Sequence, residues 1–114
     1  MVGEFLEGQS EGFNPAALAA FREACQLDQD SSHVGGACAQ AGMHLYNHVD
    51  PKPVAEIVGL WTRACELNER NGCRNMGVLH RDGTVVPRNQ AVATQFFQKS
   101  CELGFEPACL EPGV

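Results

Sequence analysis

The segment LWTRACEL, residues 60–67, recurs 36 residues later as FFQKSCEL, residues 96–103. Upstream, the segment AFREACQL at residues 20–27 follows the same pattern. Each copy carries an aromatic residue four positions before its cysteine and a leucine two positions after it. Self-similarity at a fixed period of about 35 residues is typical of repeat proteins built from stacked helix pairs.

A second short motif recurs between these long segments. The segment ACAQAG (37–42) aligns with GCRNMG (72–77), and each holds a cysteine and a glycine four residues apart. Cys109 and Gly113 show the same spacing near the end of the sequence. The six cysteines therefore fall into two classes, one near the ends of long segments and one near the starts of the shorter segments that follow.

Signals for helix formation dominate these segments. Asn14-Pro15 pairs a good N-cap with a proline at the first helical position, and Asp50-Pro51 repeats this start signal. Gly83 and Gly104 follow helical stretches and are predicted to end them. The only run of β-branched residues covers 84–86, so the fold class is predicted as all-α, a short α/α solenoid of helix pairs. Long helices are predicted after residues 14 and 50 and over 88–103, with shorter ones over 37–47 and 72–81.

The length and charge of the chain limit its organisation and its class. With 114 residues, 44% of them hydrophobic and 19% charged, the chain is one globular domain. Residues 14–114 are predicted to form the repeat domain, about two and a half repeats, and residues 1–13 an N-terminal arm. The net charge of −6 argues against a nucleic-acid binder, because phosphate contacts need an excess of Lys and Arg. No apolar run approaches the roughly 18 residues of a membrane span.

The spacing of the six cysteines indicates how they pair. Seven residues separate the members of two pairs, and twelve separate those of the third, whose turn is lengthened by DQDSSHVG. A helix end, a short turn and the next helix start can bring two Cα atoms within disulfide distance, and each bridge is worth roughly 2–3 kcal/mol. The predicted pairs are Cys25–Cys38, Cys65–Cys73 and Cys101–Cys109.

Two other states of the cysteines are compatible with the sequence. Cysteine also behaves as a small hydrophobic residue, so three pairs of buried free thiols are one alternative. Zinc binding is the other, and it is disfavoured because the chain has no C-x-x-C motif and its spacings do not match a zinc knuckle.

The repeated pattern resembles the cysteine-rich branch of the Sel-1-like repeat proteins. Its residues are the stretch 61–67 followed by 73–77, and the stretch 97–103 followed by Cys109. The family's G-x-G-V-x-x-D turn is kept in part at residues 83–89, where the second glycine is lost. The resemblance covers roughly residues 16–113, and it gains specificity because the motif recurs at one period.

The resemblance implies a protein-interaction scaffold rather than an enzyme. One branch of the family is secreted by bacteria and described as penicillin-binding with weak β-lactamase activity, and another contains the mitochondrial cytochrome c oxidase assembly factor. Residues 1–12 have neither the basic and apolar regions of a signal peptide nor the Arg-rich, acid-poor composition of a presequence. We therefore expect a protein of the mitochondrial intermembrane space, an accessory subunit or assembly factor of a respiratory-chain complex whose partners are other proteins.

Two alternatives to this function come from other classes. The first is a secreted bacterial-type repeat protein that binds β-lactams or peptidoglycan fragments. The second is a cytosolic adaptor with reduced thiols. A signal peptide in the gene would favour the first, and six alkylatable thiols would favour the second.

Few side chains indicate chemistry. His44 and His48 are four residues apart and could share a helix face, a spacing that can bind a metal, but no Glu accompanies them in an H-E-x-x-H motif. No G-x-S-x-G or S-x-x-K motif surrounds any serine. No catalytic residue, cofactor or metal site is therefore predicted.

The remaining predictions concern the core and the surface. The repeat core is predicted to contain Phe21, Trp61, Phe97, Gly42 and Gly77. An open apolar surface for a partner is predicted at the last helices, formed by Leu110 with Phe96 or Phe97. The opposite end is predicted to be covered by Val2, Phe5, Leu6 and Phe13.

Overall fold

A computed structural model describes residues 12–27 and 32–114, which form six α-helices and no strand. The helices are α1 (Pro15–Cys25), α2 (Ser32–His48), α3 (Val54–Glu66), α4 (Arg70–Asp82), α5 (Gln90–Glu102) and α6 (Glu106–Cys109). The predicted all-α solenoid is thereby confirmed. Of the predicted arm, residues 1–13, only Gly12 and Phe13 belong to the described part, so the contacts predicted for Val2, Phe5 and Leu6 lie outside it.

Asparagine side chains determine where two helices begin. Asn14 Oδ1 accepts a hydrogen bond from the Ala17 N–H at 3.0 Å, and Asn89 Oδ1 accepts one from the Val92 N–H at 3.1 Å. Each bond satisfies a donor that the first helical turn leaves free. At the other end of α4, Gly83 adopts φ of 70°, a left-handed conformation that glycine takes at no steric cost, so the predicted stop is confirmed.

The predicted start of α3 at Asp50-Pro51 is wrong by three residues. The helix begins at Val54, and Pro53 is its N-cap. Lys52 precedes Pro53, and a residue before proline is sterically excluded from the helical region. The second proline therefore delays the helix, and the Asp50–Pro51 bond lies outside it as a cis peptide.

The predicted start of α2 at residue 37 is also wrong, because the helix begins at Ser32. Val34 is 2% exposed and packs in a core cluster with both cysteines of the first bridge. Burying a valine stabilises a fold by roughly 1.5–3 kcal/mol, whereas each glycine in a helix costs about 1 kcal/mol relative to alanine. The burial of Val34 thus offsets the poor helix propensity of Gly35 and Gly36, and the turn predicted for this stretch becomes helical.

Each helix packs against the next along the chain, and α2 also contacts α4. The largest core cluster draws buried residues from α1 to α4, namely Leu18, Ala41, Leu45, Ile57, Trp61, Met76 and Leu79. A separate cluster at the other end joins Ala93, Phe97 and Ala108. None of the helices described here combines the length and apolar character needed to cross a membrane.

Candidate functional site

Three disulfides join consecutive helices at their junctions. The structure links Cys25 to Cys38, Cys65 to Cys73 and Cys101 to Cys109, with Cα–Cα distances of 4.7, 4.6 and 4.9 Å. The first two bridges are buried, whereas both cysteines of the third are half-buried. Each bridge closes one helix pair covalently, and no cysteine of the chain is free.

Contacts between successive helix pairs depend on a glycine that faces an aromatic ring. A Cβ added at Gly42 would lie 2.3 Å from Trp61 Nε1, and one added at Gly77 would lie 2.8 Å from the Phe97 ring. The Trp61 indole N–H also donates to the Ala39 carbonyl at 3.1 Å. Both rings are almost wholly buried, so these two helix contacts require residues without a side chain.

Phe21 differs from the other two predicted core aromatics because it is only half-buried. It packs against the edge of the largest core cluster. Trp61 and Phe97 are each covered by a glycine of the preceding helix, and within the described residues no helix precedes α1 to supply such a cover.

Charged side chains of α3 and α1 link these two helices. Arg22 donates to both carboxylate oxygens of Glu56, at 2.7 and 2.8 Å. Arg63 donates from Nε to the Cys25 carbonyl and from Nη2 to the Leu27 carbonyl, both at 3.0 Å. Arg63 therefore satisfies carbonyls that the end of α1 leaves unpaired, and it places a positive charge at the negative end of the helix dipole.

Replacing Arg63 with methionine is expected to lower the free energy of unfolding by about 1–2 kcal/mol, because two charge-assisted hydrogen bonds are lost while the apolar stem is kept. The matched control is Lys99→Met, since Lys99 occupies the equivalent repeat position. Urea unfolding of both oxidised variants measures the difference. Equal losses in the two variants would contradict the role assigned to Arg63.

The two predicted neighbouring histidines share a face of α2, with ring centroids 4.7 Å apart. His44 Nε2 accepts a hydrogen bond from the Asn14 N–H at 2.9 Å, and its ring contacts Phe13. This acceptor atom is engaged by the backbone, and among the described residues no group of three potential metal ligands occurs. Desolvation, together with the charge of His48, lowers the pKa of His44.

The lowered pKa of His44 predicts that acid weakens the fold. The unfolded chain binds a proton at His44 more readily than the folded one, so this contribution to stability is complete above about pH 6.5 and declines as the pH falls below it. His44→Gln places a neutral acceptor at the same position and is expected to flatten the fall in melting temperature between pH 7.5 and 5. Identical pH profiles for wild type and variant would show that His44 is not the group responsible.

The open surface predicted for the last helices is wrong in its aromatic part. Phe97 is 1% exposed, because Gly77 and Ala108 cover it. Phe96 is half-buried, and its ring stacks on His80 with centroids 5.9 Å apart. Only Leu110 matches the expectation, being 87% exposed.

Three cavities that share lining residues lie along α4 on the sides that face α2 and α6. We call them the polar, apolar and terminal cavities and together the α4 groove. The polar cavity, about 190 Å³, lies between α2 and the start of α4 and is lined by Gln40, Glu69 and Asn71, among others. The apolar cavity, about 130 Å³, is lined mainly by Met43, Tyr46, Trp61, Val78 and Leu79. The terminal cavity, also about 130 Å³, includes Phe97, Phe105 and Glu111.

Arg74 and Asn75 lie where these cavities meet. Arg74 lines all three cavities, and Asn75 lines the polar and apolar ones. Arg74 Nη1 donates to Asn75 Oδ1 at 3.0 Å, and its guanidinium lies 5.7 Å from the Phe105 ring centroid. Asn75 is 5% exposed, and its amide N–H groups donate to no group of the described chain. These two side chains therefore present hydrogen-bond donors to the groove.

Comparison with known proteins finds proteins similar to this chain among curated sequences and among solved structures. "Cytochrome c oxidase assembly factor 7" of Danio rerio is 25% identical over 118 aligned positions, which cover 95% of this chain and 48% of that protein. The structure of Helicobacter pylori cysteine rich protein B is similar with a TM-score of 0.60 and 31% identity, over 67% of this chain and 58% of that one. The resemblance to cysteine-rich Sel-1-like repeat proteins is confirmed.

This chain spans about half the length of the relatives it matches. No protein-family model matches it. The divergence of its turns is consistent with this result, because the second glycine of the turn at residues 83–89 is missing and the turn near residue 50 contains two prolines. Neither relative is named for an enzymatic activity, and the repeat fold supports a scaffold that binds other proteins.

Sequence reasoning missed the α4 groove and its two donors. The repeat alignment contains a signal that could have found them, because Gln40, Asn75 and Glu111 all follow a motif cysteine by two residues. A polar residue at that place in each unit indicates a shared surface rather than core packing.

Proposed function

We propose that this chain is a protein-interaction scaffold of the mitochondrial intermembrane space, an accessory subunit or assembly factor of a respiratory-chain complex. The observation that carries the proposal is its similarity to cytochrome c oxidase assembly factor 7 along 95% of its length. The three disulfides support it, because disulfides persist in oxidising compartments. The donors of the α4 groove are suited to binding a partner, because Arg74 and Asn75 can each donate hydrogen bonds to a ligand oxygen.

Fractionation of the source cells tests this proposal directly. Mitochondria are treated with protease before and after rupture of the outer membrane, with a matrix protein and a known intermembrane-space protein as controls. The chain is expected to become protease-sensitive only after rupture and to migrate with respiratory-chain subunits on native gels. Recovery in the cytosol with six alkylatable thiols would contradict both the compartment and the redox state.

A second candidate function is that of a secreted bacterial-type repeat protein. The observation that favours it is the structural similarity to Helicobacter pylori cysteine rich protein B, at 31% identity. Its proposed ligands are β-lactams or peptidoglycan fragments. A fluorescent penicillin added to the oxidised protein tests this candidate, because saturable binding would favour it over the mitochondrial scaffold.

A further inference from the structure

We propose that the α4 groove binds an extended segment of a partner protein, in which an Asp or Glu side chain pairs with Arg74 and Asn75. An apolar side chain next to that carboxylate enters the apolar cavity. The inference rests on the scaffold function proposed above and adds the chemistry of the partner. It is carried by a cation that forms no ion pair within the described part of the chain, by a buried amide and by the arrangement of the three cavities.

Arg74 supplies the charge that selects a carboxylate. The ion pairs in the described part of the chain involve Arg22 and Arg81, and none reaches Arg74. Its guanidinium uses one N–H on Asn75 and rests near the Phe105 ring, which leaves further donors of its planar fork free for a ligand. A guanidinium offers two parallel donors that match the two oxygens of a carboxylate, and such pairs are among the stronger hydrogen bonds in proteins.

Asn75 supplies a neutral donor beside that charge. Within the described chain no wholly buried side-chain nitrogen or oxygen lacks a partner, yet the Asn75 amide N–H groups have none. The amide nitrogen is therefore not wholly enclosed, although only 5% of the residue is exposed, and Asn75 lines the polar and apolar cavities. A largely buried amide beside a cavity can donate to a ligand oxygen, and because its side chain is held by Arg74 it needs little reorganisation on binding.

The arrangement of the cavities favours a carboxylate within a segment over one at a chain end. The polar cavity lies on one side of Arg74 and the terminal cavity on the other, so a bound chain can continue in both directions. Glu69 stands in the polar cavity and disfavours further acidic residues there by like-charge repulsion, whereas Glu111 in the terminal cavity is paired with Arg81. The partner segment therefore carries its acidic residue at Arg74, with neutral or basic residues at the end that lies in the polar cavity.

The apolar cavity accounts for the neighbouring residue of the segment. Its volume is about 130 Å³, and its walls include Met43, Tyr46 and Val78 around the buried edge of Trp61. A flexible methionine and a partly exposed tyrosine can adapt to one aliphatic or aromatic side chain. Arg74 and Asn75 line this cavity too, so the carboxylate and the apolar group come from adjacent residues.

The test selects peptides on the oxidised, folded protein. Random nine-residue segments displayed on phage, fused at their C-termini so that no terminal carboxylate is free, are enriched against the wild-type chain. We expect the enriched peptides to contain one Asp or Glu next to Leu, Met or Phe. As amidated synthetic peptides they should bind Arg74→Gln about tenfold to a hundredfold more weakly, whereas Lys99→Gln, an equal change of charge outside the groove, should change affinity less than twofold.

Two further measurements keep the result interpretable. Arg74→Lys keeps the charge but loses the planar fork, so it should give an intermediate loss, and circular dichroism confirms that each variant is folded. In the NMR spectrum of the ¹⁵N-labelled chain, the side-chain amide of Asn75 should shift when the peptide is added. The proposal would be overturned by a selection that enriches no peptide, by enriched peptides without an acidic residue, or by unchanged peptide binding to Arg74→Gln.

Failure of this inference is distinguishable from failure of the proposed function. An unblocked peptide whose only carboxylate is its C-terminus, bound more tightly than the acidic segment, would overturn the assignment to a side chain. Partners that co-purify equally with the wild-type chain and with Arg74→Gln would support the scaffold function but contradict binding in the α4 groove. If the chain lies outside mitochondria but binds peptides in a way that depends on Arg74, the proposed compartment is wrong and the proposed binding in the α4 groove is supported.

Discussion

Reduction of the three disulfides is expected to unfold this chain near room temperature. The bridges join residues separated by 13, 8 and 8 positions. In the chain-entropy model such loops contribute about 2.5–3 kcal/mol each, so their sum, about 8 kcal/mol, is comparable to the whole stability of an ordinary domain. Urea unfolding followed by circular dichroism at 222 nm, with and without a phosphine reductant, measures the loss.

Variants that lack one bridge separate this effect from a general effect of the reductant. Each pair of cysteines is replaced by alanine in turn, and each double variant is expected to lose about 2–4 kcal/mol while remaining folded when oxidised. Cys25→Ala with Cys38→Ala should be the most costly, because both cysteines are buried, so the substitution also leaves a cavity, and because their bridge closes the longest of the three loops. A reduced wild-type chain with an unchanged urea midpoint would contradict the prediction.

Replacing Gly42 with alanine is expected to destabilise the fold by about 2 kcal/mol. The new Cβ would stand 2.3 Å from Trp61 Nε1, and the ring cannot retreat without losing its hydrogen bond to Ala39. Overpacking of a core typically costs 1–3 kcal/mol, and the higher helix propensity of alanine returns only about 1 kcal/mol. Urea unfolding of the oxidised variant measures the cost.

The chain offers a matched control for this substitution. Gly59 also lies inside a helix, but a Cβ added there would meet no atom within 4 Å, so Gly59→Ala should stabilise by up to about 1 kcal/mol. Gly77→Ala should resemble Gly42→Ala, because the Phe97 ring stands 2.8 Å from the added carbon. Combining Gly42→Ala with Trp61→Leu should cost less than the sum of the two single changes. Similar stabilities for the Gly42 and Gly59 variants would refute the proposed contact.

The repeat made the helix order and the equivalence of its positions predictable, whereas helix boundaries depended on local sterics and on packing. Pro53 delays the start of α3 because it disfavours the helical conformation at Lys52. This rule can be applied to the sequence alone, but the start signal at Asp50-Pro51 looked stronger and led to the wrong start. The early start of α2 could not be predicted, because it depends on the burial of Val34 against residues distant in sequence.

The α4 groove was beyond sequence analysis for a similar reason. Arg74 replaces the alanine found at position 39 of the preceding unit, and nothing local shows that its charge lacks a partner. Only the assembled helices show that no acidic side chain of residues 12–27 and 32–114 forms an ion pair with it and that Asn75 lies buried beside it. Whether a charged side chain has an ion-pair partner depends on how the helices pack, so it cannot be predicted from the spacing of residues along the chain.

Covalent closure within each helix pair also governs how the chain responds to stretching. Because each sulfur bridge spans one junction, while non-covalent contacts such as Gly42 on Trp61 hold one pair against the next, force applied at the two ends first separates the pairs. The residues between two bridged cysteines bear no force, so the oxidised chain at full extension is shorter than the same chain without bridges. A single-molecule pulling trace should lengthen when a reductant is added.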